Sequence, residues 1–176
     1  METLAELHYP PHLHLSIQDE RDVEAIFTLI QQEKPRLLRT LSGPDSLTCV
    51  DDLRQAIKTN RKAFEAGLAV VYVIRWDEVI TGVVCFDSIH NKTGDIGYWI
   101  AQQFEGKGIV SQAVTTMIEA YRAAGIVDRC IIKASVENSR SNALARRLGF
   151  GFYRLVEKAE RIGDRDLDQN IYYYPV

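Results

Sequence analysis

Cysteine is scarce in this chain, and long apolar runs are missing altogether. Three cysteines, Cys49, Cys85 and Cys130, are odd in number and widely spaced, which fits neither a disulfide framework nor a C-x-x-C metal knuckle. They are expected to act as small buried hydrophobes. Apolar stretches such as Leu68 to Ile74 fall far short of the roughly 18 residues that a membrane span needs, and the basic-then-apolar layout of a signal peptide is absent. A cytoplasmic protein without a membrane partner is the expectation. A basic surplus is lacking too: 21 Lys and Arg face 24 Asp and Glu, for a formal net charge of -3, whereas a dedicated nucleic-acid binder needs clustered positive charge to neutralise phosphates. Repeats, low-complexity tracts and linkers are also missing. What remains is 176 residues with 46% hydrophobic content, enough for one substantial core and too little for two comfortable domains. Residues 1–176 are therefore read as a single domain.

The patterning is mixed. Residues 1–10 carry no clear period, after which His12 to Ile17 alternates as a half-buried strand does. Asp19 is placed to cap a helix whose Val23, Ile26, Phe27 and Ile30 share one face, with Pro35 expected to stop it. A second helix is predicted over 50–66, closed by Gly67. From Leu68 the period changes: 68–76, 79–88 and 95–101 are rich in β-branched and aromatic residues separated by short turns, and predict an antiparallel meander. A helix with apolar Ile109, Val110, Ala113, Val114, Met117, Ile118 and Tyr121 follows, then a strand over 129–136, a helix over 139–148 ended by Gly149, and strands near 152–161 and 168–174.

The most informative segment, Gln103-Phe104-Glu105-Gly106-Lys107-Gly108, lies between a strand and an amphipathic helix. Glycines let the chain turn tightly and bring backbone N–H groups toward an anion, and the helix start adds its positive dipole end, worth about 0.3 to 2 kcal/mol. A diphosphate suits that geometry. Gly106 and Gly108 could equally do no more than shape a turn. Gly106 to Ser111 also falls one residue short of the dinucleotide fingerprint, with Asp128 near the distance of a ribose ligand. That reading fails on position, because Asp128 precedes a strand instead of closing one and the upstream elements do not form a βαβ unit.

Gln103-x-x-Gly106-x-Gly108 resembles the Q/R-x-x-G-x-G/A pyrophosphate loop of GNAT acyltransferases, and the element order is similar to that family's over nearly the whole chain. Ile96-Gly97-Tyr98-Trp99-Ile100, Phe104 to Ile109, and Asn138-x-x-Ser141-Asn142-Ala143 with Ala145-Arg146-Arg147 look like the RimL-like, ribosomal-protein-serine N-acetyltransferase branch. The resemblance implies an α/β (α+β) fold: a mixed, mostly antiparallel seven-stranded sheet with about four helices, splayed between its fourth and fifth strands. It implies acetyl-CoA as cosubstrate without a metal, the phosphates on Gln103, Phe104, Gly106, Lys107, Gly108 and Ile109, and the pantetheine arm on the backbone of Trp99, Ile100 and Ala101. Asn138 would contact the same arm, or cap its helix, or both. Many members of the superfamily carry a tyrosine acid where Ala145 stands here, which makes Ser141 the candidate acid. Glu160, in a segment resembling A-E-x-x-G-D, is the candidate base.

An acceptor α-amine, with a pKa near about 7.8, is about 30% neutral at about pH 7.4, against about 0.1% for a lysine near about 10.4. A protein N-terminus therefore asks least of the base, and a ribosomal-protein-like N-terminus is the expected acceptor. Small amines (polyamine, amino sugar, amino acid) form the alternative, and an acyl-CoA sensor without turnover a further one. A homodimer follows only from the resemblance. His12 and His14 share a strand face without a third ligand in view and read as a solvated edge. Trp76 and Trp99 read as core or groove wall, and Tyr172 to Tyr174 as a terminal strand of alternating burial.

Overall fold

The structure, a computed structural model, describes residues 4–176. Its elements are Glu6–Tyr9 (β1), Leu13–Ile17 (β2), Val23–Leu37 (α1), Val50–Glu65 (α2), Val70–Trp76 (β3), Val79–His90 (β4), Thr93–Ile100 (β5), Ile109–Ala123 (α3), Arg129–Ser135 (β6), Ser139–Arg147 (α4), Gly151–Ile162 (β7) and Arg165–Tyr174 (β8). They build one sheet in the order β1-β2-β3-β4-β5-β6-β8-β7, antiparallel except for the β5–β6 pair. The mixed, mostly antiparallel architecture matches the expectation, with eight strands in place of seven. The added strand is β1, whose four residues are too short to show a period on their own; they acquire a partner because Pro10 and Pro11 turn the chain back onto β2, pairing Glu6 with Ser16 and Tyr9 with Leu13.

Two-residue turns join the meander. Asp77 and Glu78, and likewise Asn91 and Lys92, all have positive φ, the geometry whose twist matches that of the flanking strands. Pro35 does not stop α1, which runs on to Leu37. The proline is exposed, and so is Gln31, whose carbonyl loses its amide partner, so water on the outer face can serve that carbonyl. The turn added beyond Glu33, where the sequence pattern ends the helix, matters because it brings Arg36 to the end of β5.

The core lies on both faces of the sheet. On one face, Val23, Ile26 and Ile30 of α1 meet Leu53 and Ile57 of α2 over Val73, with Trp99 at the margin. On the other, Ile109, Val114, Met117 and Tyr121 of α3 cover Tyr72, Ile74, Val84 and Phe86. Each such fully buried side chain contributes about 1.5 to 3 kcal/mol. The Tyr72 and Tyr121 hydroxyls pair at 2.8 Å, and Tyr72 donates to the Leu4 carbonyl at 2.6 Å, so the buried phenols are satisfied and the start of β1 is held down. Cys85 and Cys130 are buried as expected, but Cys49 is exposed. It stands before α2, where its N–H and that of Thr48 donate to the Asp52 carboxylate, at 3.2 and 2.9 Å, and end-capping rather than burial sets its place.

Candidate active site

Pairing between β5 and β6 runs from Thr93↔Arg129 to Ile96↔Ile132 and stops. Beyond that point β5 continues against β4 alone, to Gly82↔Ile100, and β6 against β8 alone, to Ser135↔Gln169. The sheet therefore forks, at the two strands the family resemblance implied, and the fork opens a cavity of about 760 Å³. The Ala101 N–H is spent on the Thr81 carbonyl at 2.8 Å. Strand alternation then turns the main-chain groups of Tyr98 and Ile100, not those of Trp99 and Ala101, toward the gap. The Ile100 carbonyl is taken by Arg36 Nη2 at 2.6 Å, which leaves the Ile100 N–H and both groups of Tyr98 as edge partners for an extended, amide-bearing arm.

The turn after β5 leads straight into α3. Gly106 and Gly108 both hold φ of 77°, a region costly for a residue with a side chain. A Cβ at either would meet nothing within 4 Å, so the need for glycine is conformational, and the space above the turn is open. Gly108 stands at the N-cap of α3 and gives no side-chain cap, so the first amides of the helix keep their donors for a ligand. An arm ending in a diphosphate fits this combination.

Charged side chains lock the turn from outside. One Glu33 oxygen accepts from Arg36 Nη2 at 2.7 Å and from the Gln102 N–H at 2.6 Å. Glu105, inside the turn, lies 3.7 Å from Arg36 and 3.4 Å from Arg140. Burial alone would raise the Glu33 carboxyl, but the hydrogen bonds from Arg36 and Gln102, with the Arg36 charge, hold it below the usual carboxylate range.

Asn138 caps α4, its Oδ1 accepting from the Ser141 N–H at 3.1 Å, and it lines the cavity as well. The neighbouring Asn142 donates to the Ser135 carbonyl at 2.9 Å and accepts from the Tyr172 hydroxyl at 2.7 Å, pinning the first turn of α4 to β6 and β8. Buried Ser141 hydrogen-bonds through its hydroxyl to that of Tyr98. Across the cavity, Glu160 follows an irregularity in β7 between Val156 and Glu160. Its carboxylate accepts from the Ser42 N–H and from Gln169 Nε2, both at 2.9 Å.

Of the sequence-predicted residues, Trp99, Ile100, Phe104, Gly106, Gly108, Ile109, Asn138, Ser141 and Glu160 all border this one cavity. Ala101 and Gln103 instead border a separate hollow against Leu29 and Glu33 of α1, Ala101 at the cap of the short helical turn 102–104 and Gln103 within it. The Lys107 ammonium sits 5.8 Å from the Phe104 ring centre. Sequence reasoning passed over Tyr98, Arg36, Glu33 and Arg147. Tyr98 lay within the quoted strand motif, but nothing local marks its distant partner. Trp99 is both core and groove wall, and Tyr172 is buried while Tyr173 and Tyr174 are partly so.

At the far edge of the sheet a third donor does join His14: ligand atoms of Glu6, His8 and His14 lie within 4.8 Å of one another. The His8 and His14 rings are stacked, 4.3 Å apart and inclined by 8°, and lone pairs lying in parallel ring planes do not converge on one ion. His12 pairs with Asp77 at 2.6 Å and stacks on Trp76.

Residues 12–151 match the acetyltransferase (GNAT) domain family. The chain is 33% identical over 162 residues to the ribosomal-protein-serine acetyltransferase of Escherichia coli K12, covering 91% of this chain and 90% of that protein. It superimposes with a TM-score of 0.93 on RimL, the ribosomal L7/L12 alpha-N-protein acetyltransferase, in complex with coenzyme A, at 31% identity and 96% of both chains. The microcin C7 self-immunity acetyltransferase MccE, in complex with acetyl-CoA and AMP, gives a TM-score of 0.89 at 32% identity, over 94% of this chain and 93% of that one. No helix among the described residues is long and apolar enough to cross a membrane. The forked sheet, the glycine turn beneath α3 and the family match agree: this chain is a member of the GNAT family of acetyltransferases.

Proposed function

We propose that the chain, as a single domain, transfers acetyl from acetyl-CoA to the N-terminal α-amine of a protein, with a ribosomal protein as the acceptor, by direct attack in a ternary complex. The observation that carries this reading is the meeting of Glu160 and Ser141 on one cavity from β7 and α4, on the open side of the fork. In this reading the glycine turn 106–108 and the first amides of α3 hold the diphosphate, the free edges of Tyr98 and Ile100 hold the pantetheine, and Asn138 adds a polar contact. The Ile100 N–H faces the thioester carbonyl, where negative charge develops on attack. Glu160 takes the amine proton directly or through a water. The new C–N bond forms as the C–S bond breaks, its electron pair leaves on sulfur, and Ser141 faces that sulfur.

The α-amine assignment rests on proton supply. Glu160 keeps both oxygens in hydrogen bonds from neutral donors, and an amine that is already partly neutral asks least of a single carboxylate base. The RimL and E. coli likenesses point the same way. A second reading, a small amine acceptor, is favoured by the likeness to MccE, whose structure holds AMP. Assays pairing acetyl-CoA with N-terminal peptides and with a panel of small amines separate the two: the peptide series saturates under the first reading, and a saturating small amine beside inert peptides overturns it. A cytoplasmic location and a homodimer complete the proposal, the dimer supported by Phe152, Tyr153 and Leu155, which are 58%, 63% and 46% exposed along the outer strand β7. Light scattering reads the assembly state directly.

A further inference from the structure

Two hydroxyls meet across the fork, and one hydrogen is left over. Tyr98 reaches in from β5, two residues past its last pair with β6, and Ser141 from the first turn of α4. Their oxygens share one hydrogen bond. Among the described residues neither hydroxyl has another hydrogen-bond partner, and the Ser141 main chain is already held by Asn138. Two hydroxyls own two hydrogens, and the bond between them uses one.

A phenol is a much stronger donor than an aliphatic hydroxyl, so the shared hydrogen comes from Tyr98 and the Ser141 oxygen accepts it. The unspent hydrogen is then that of Ser141, and the cavity that both residues line is where an acceptor for it can stand. We propose that Tyr98 is a positioning residue for thiol release: its hydroxyl donates to Ser141 and so aims the Ser141 hydrogen at the sulfur that leaves acetyl-CoA. The inference rests on the acetyl-transfer reading above.

The pair acts by hydrogen bonding and not by giving up a proton. Burial pushes the Tyr98 phenol up to about 12, against smaller opposing effects of the Ser141 hydrogen bond and the Arg147 charge. A proton passed outright to a thiolate, whose acid has a pKa near about 8.5, would run uphill from this phenol. The balance is simple: the amine nitrogen bonds to the acetyl carbon and loses its proton to Glu160 or water, the C–S electron pair departs on sulfur, and Tyr98 and Ser141 both keep their hydrogens.

The test compares Tyr98→Phe, Ser141→Ala and the double variant, using kcat, KM for acetyl-CoA and the pKa of the bound CoA thiol read from ultraviolet thiolate absorbance. Each single change is expected to lower kcat about 10- to 100-fold, leave KM within a factor of about two and raise the bound thiol pKa, and the double variant should be no slower than the slower single one. A merely structural Tyr98 would change KM or stability and leave the bound thiol pKa where it was. Difluorotyrosine at position 98, a more acidic phenol in the same space, is expected to keep or raise kcat, and this holds the test open should Tyr98→Phe misfold. A slow Ser141→Ala beside a full-rate Tyr98→Phe, additive singles, or a slow difluorotyrosine enzyme overturns the role of Tyr98 alone. A full-rate Ser141→Ala overturns the role given to Ser141 in the acetyl-transfer reading itself.

Discussion

Gly82 is the residue on which the near arm of the fork rests, and replacing it with alanine should damage the site from outside it. It pairs with Ile100 at the end of β5, and β5 passes so close that a Cβ there would lie 2.1 Å from the Trp99 carbonyl oxygen and 2.8 Å from the Ile100 Cα. Both are backbone atoms, so no side-chain rotation relieves the clash. Bringing the oxygen back to an ordinary contact requires β5 to retreat by about 1 Å, at an overpacking cost of about 1 to 3 kcal/mol. Because Ile100 carries the amide proposed to face the thioester, a displacement of that size is worth about 100-fold in rate. Urea unfolding and steady-state acetyl transfer should therefore both report the change: lower stability by about 1 to 3 kcal/mol, and kcat/KM down by about 100-fold. Gly43→Ala is the control, since a Cβ there meets nothing within 4 Å and is expected to be neutral or stabilising by about 0.4 to 1 kcal/mol. A Gly82→Ala protein with wild-type stability and wild-type kcat/KM would refute the claim that the fork depends on this close approach.

Three other outcomes follow from the geometry. Glu160→Gln keeps a partner for the Ser42 N–H but removes the proposed base, so kcat should fall by about 100- to 10,000-fold with KM for acetyl-CoA nearly constant; an unchanged kcat removes Glu160 from the chemistry. Replacing Gly106 and Gly108 together by alanine should cost about 1 to 2 kcal/mol of stability at each position and weaken acetyl-CoA binding in calorimetry, whereas unaltered affinity would take the diphosphate away from this turn. The Glu33 carboxyl is depressed in the folded state, so its stabilisation is fully present above its unfolded pKa of about 4.3 and is lost as pH falls through its lower folded value. Urea midpoints measured across that acid range should drop less steeply for Glu33→Gln than for wild type, and parallel curves would contradict the lock around Gln102.

The sequence by itself determined the local elements. Apolar spacing marked α1 and α3, glycines marked the ends of α2 and α4, and a glycine pair between a strand and a helix marked a tight turn suited to an anion, because each of these signals depends on residues a few positions apart. Likeness to a known family added Glu160 and Ser141, which no spacing rule would have selected. Only the tertiary structure decided what depends on distant partners. Pairing between β5 and β6 ends at Ile96 and Ile132 while each strand stays paired along its other edge, to β4 and to β8, and neither strand's own sequence records where the two part. Glu6 to Tyr9 became a strand when β2 supplied its hydrogen bonds, and Pro35 stayed inside α1 because its missing donor faces water. The hydroxyls of Tyr98 and Ser141, and Arg36 with the Ile100 carbonyl, are brought together across long stretches of chain. Local pattern reports which face of an element is apolar, but which neighbour fills that face, and where two strands part, is set by packing of the whole sheet.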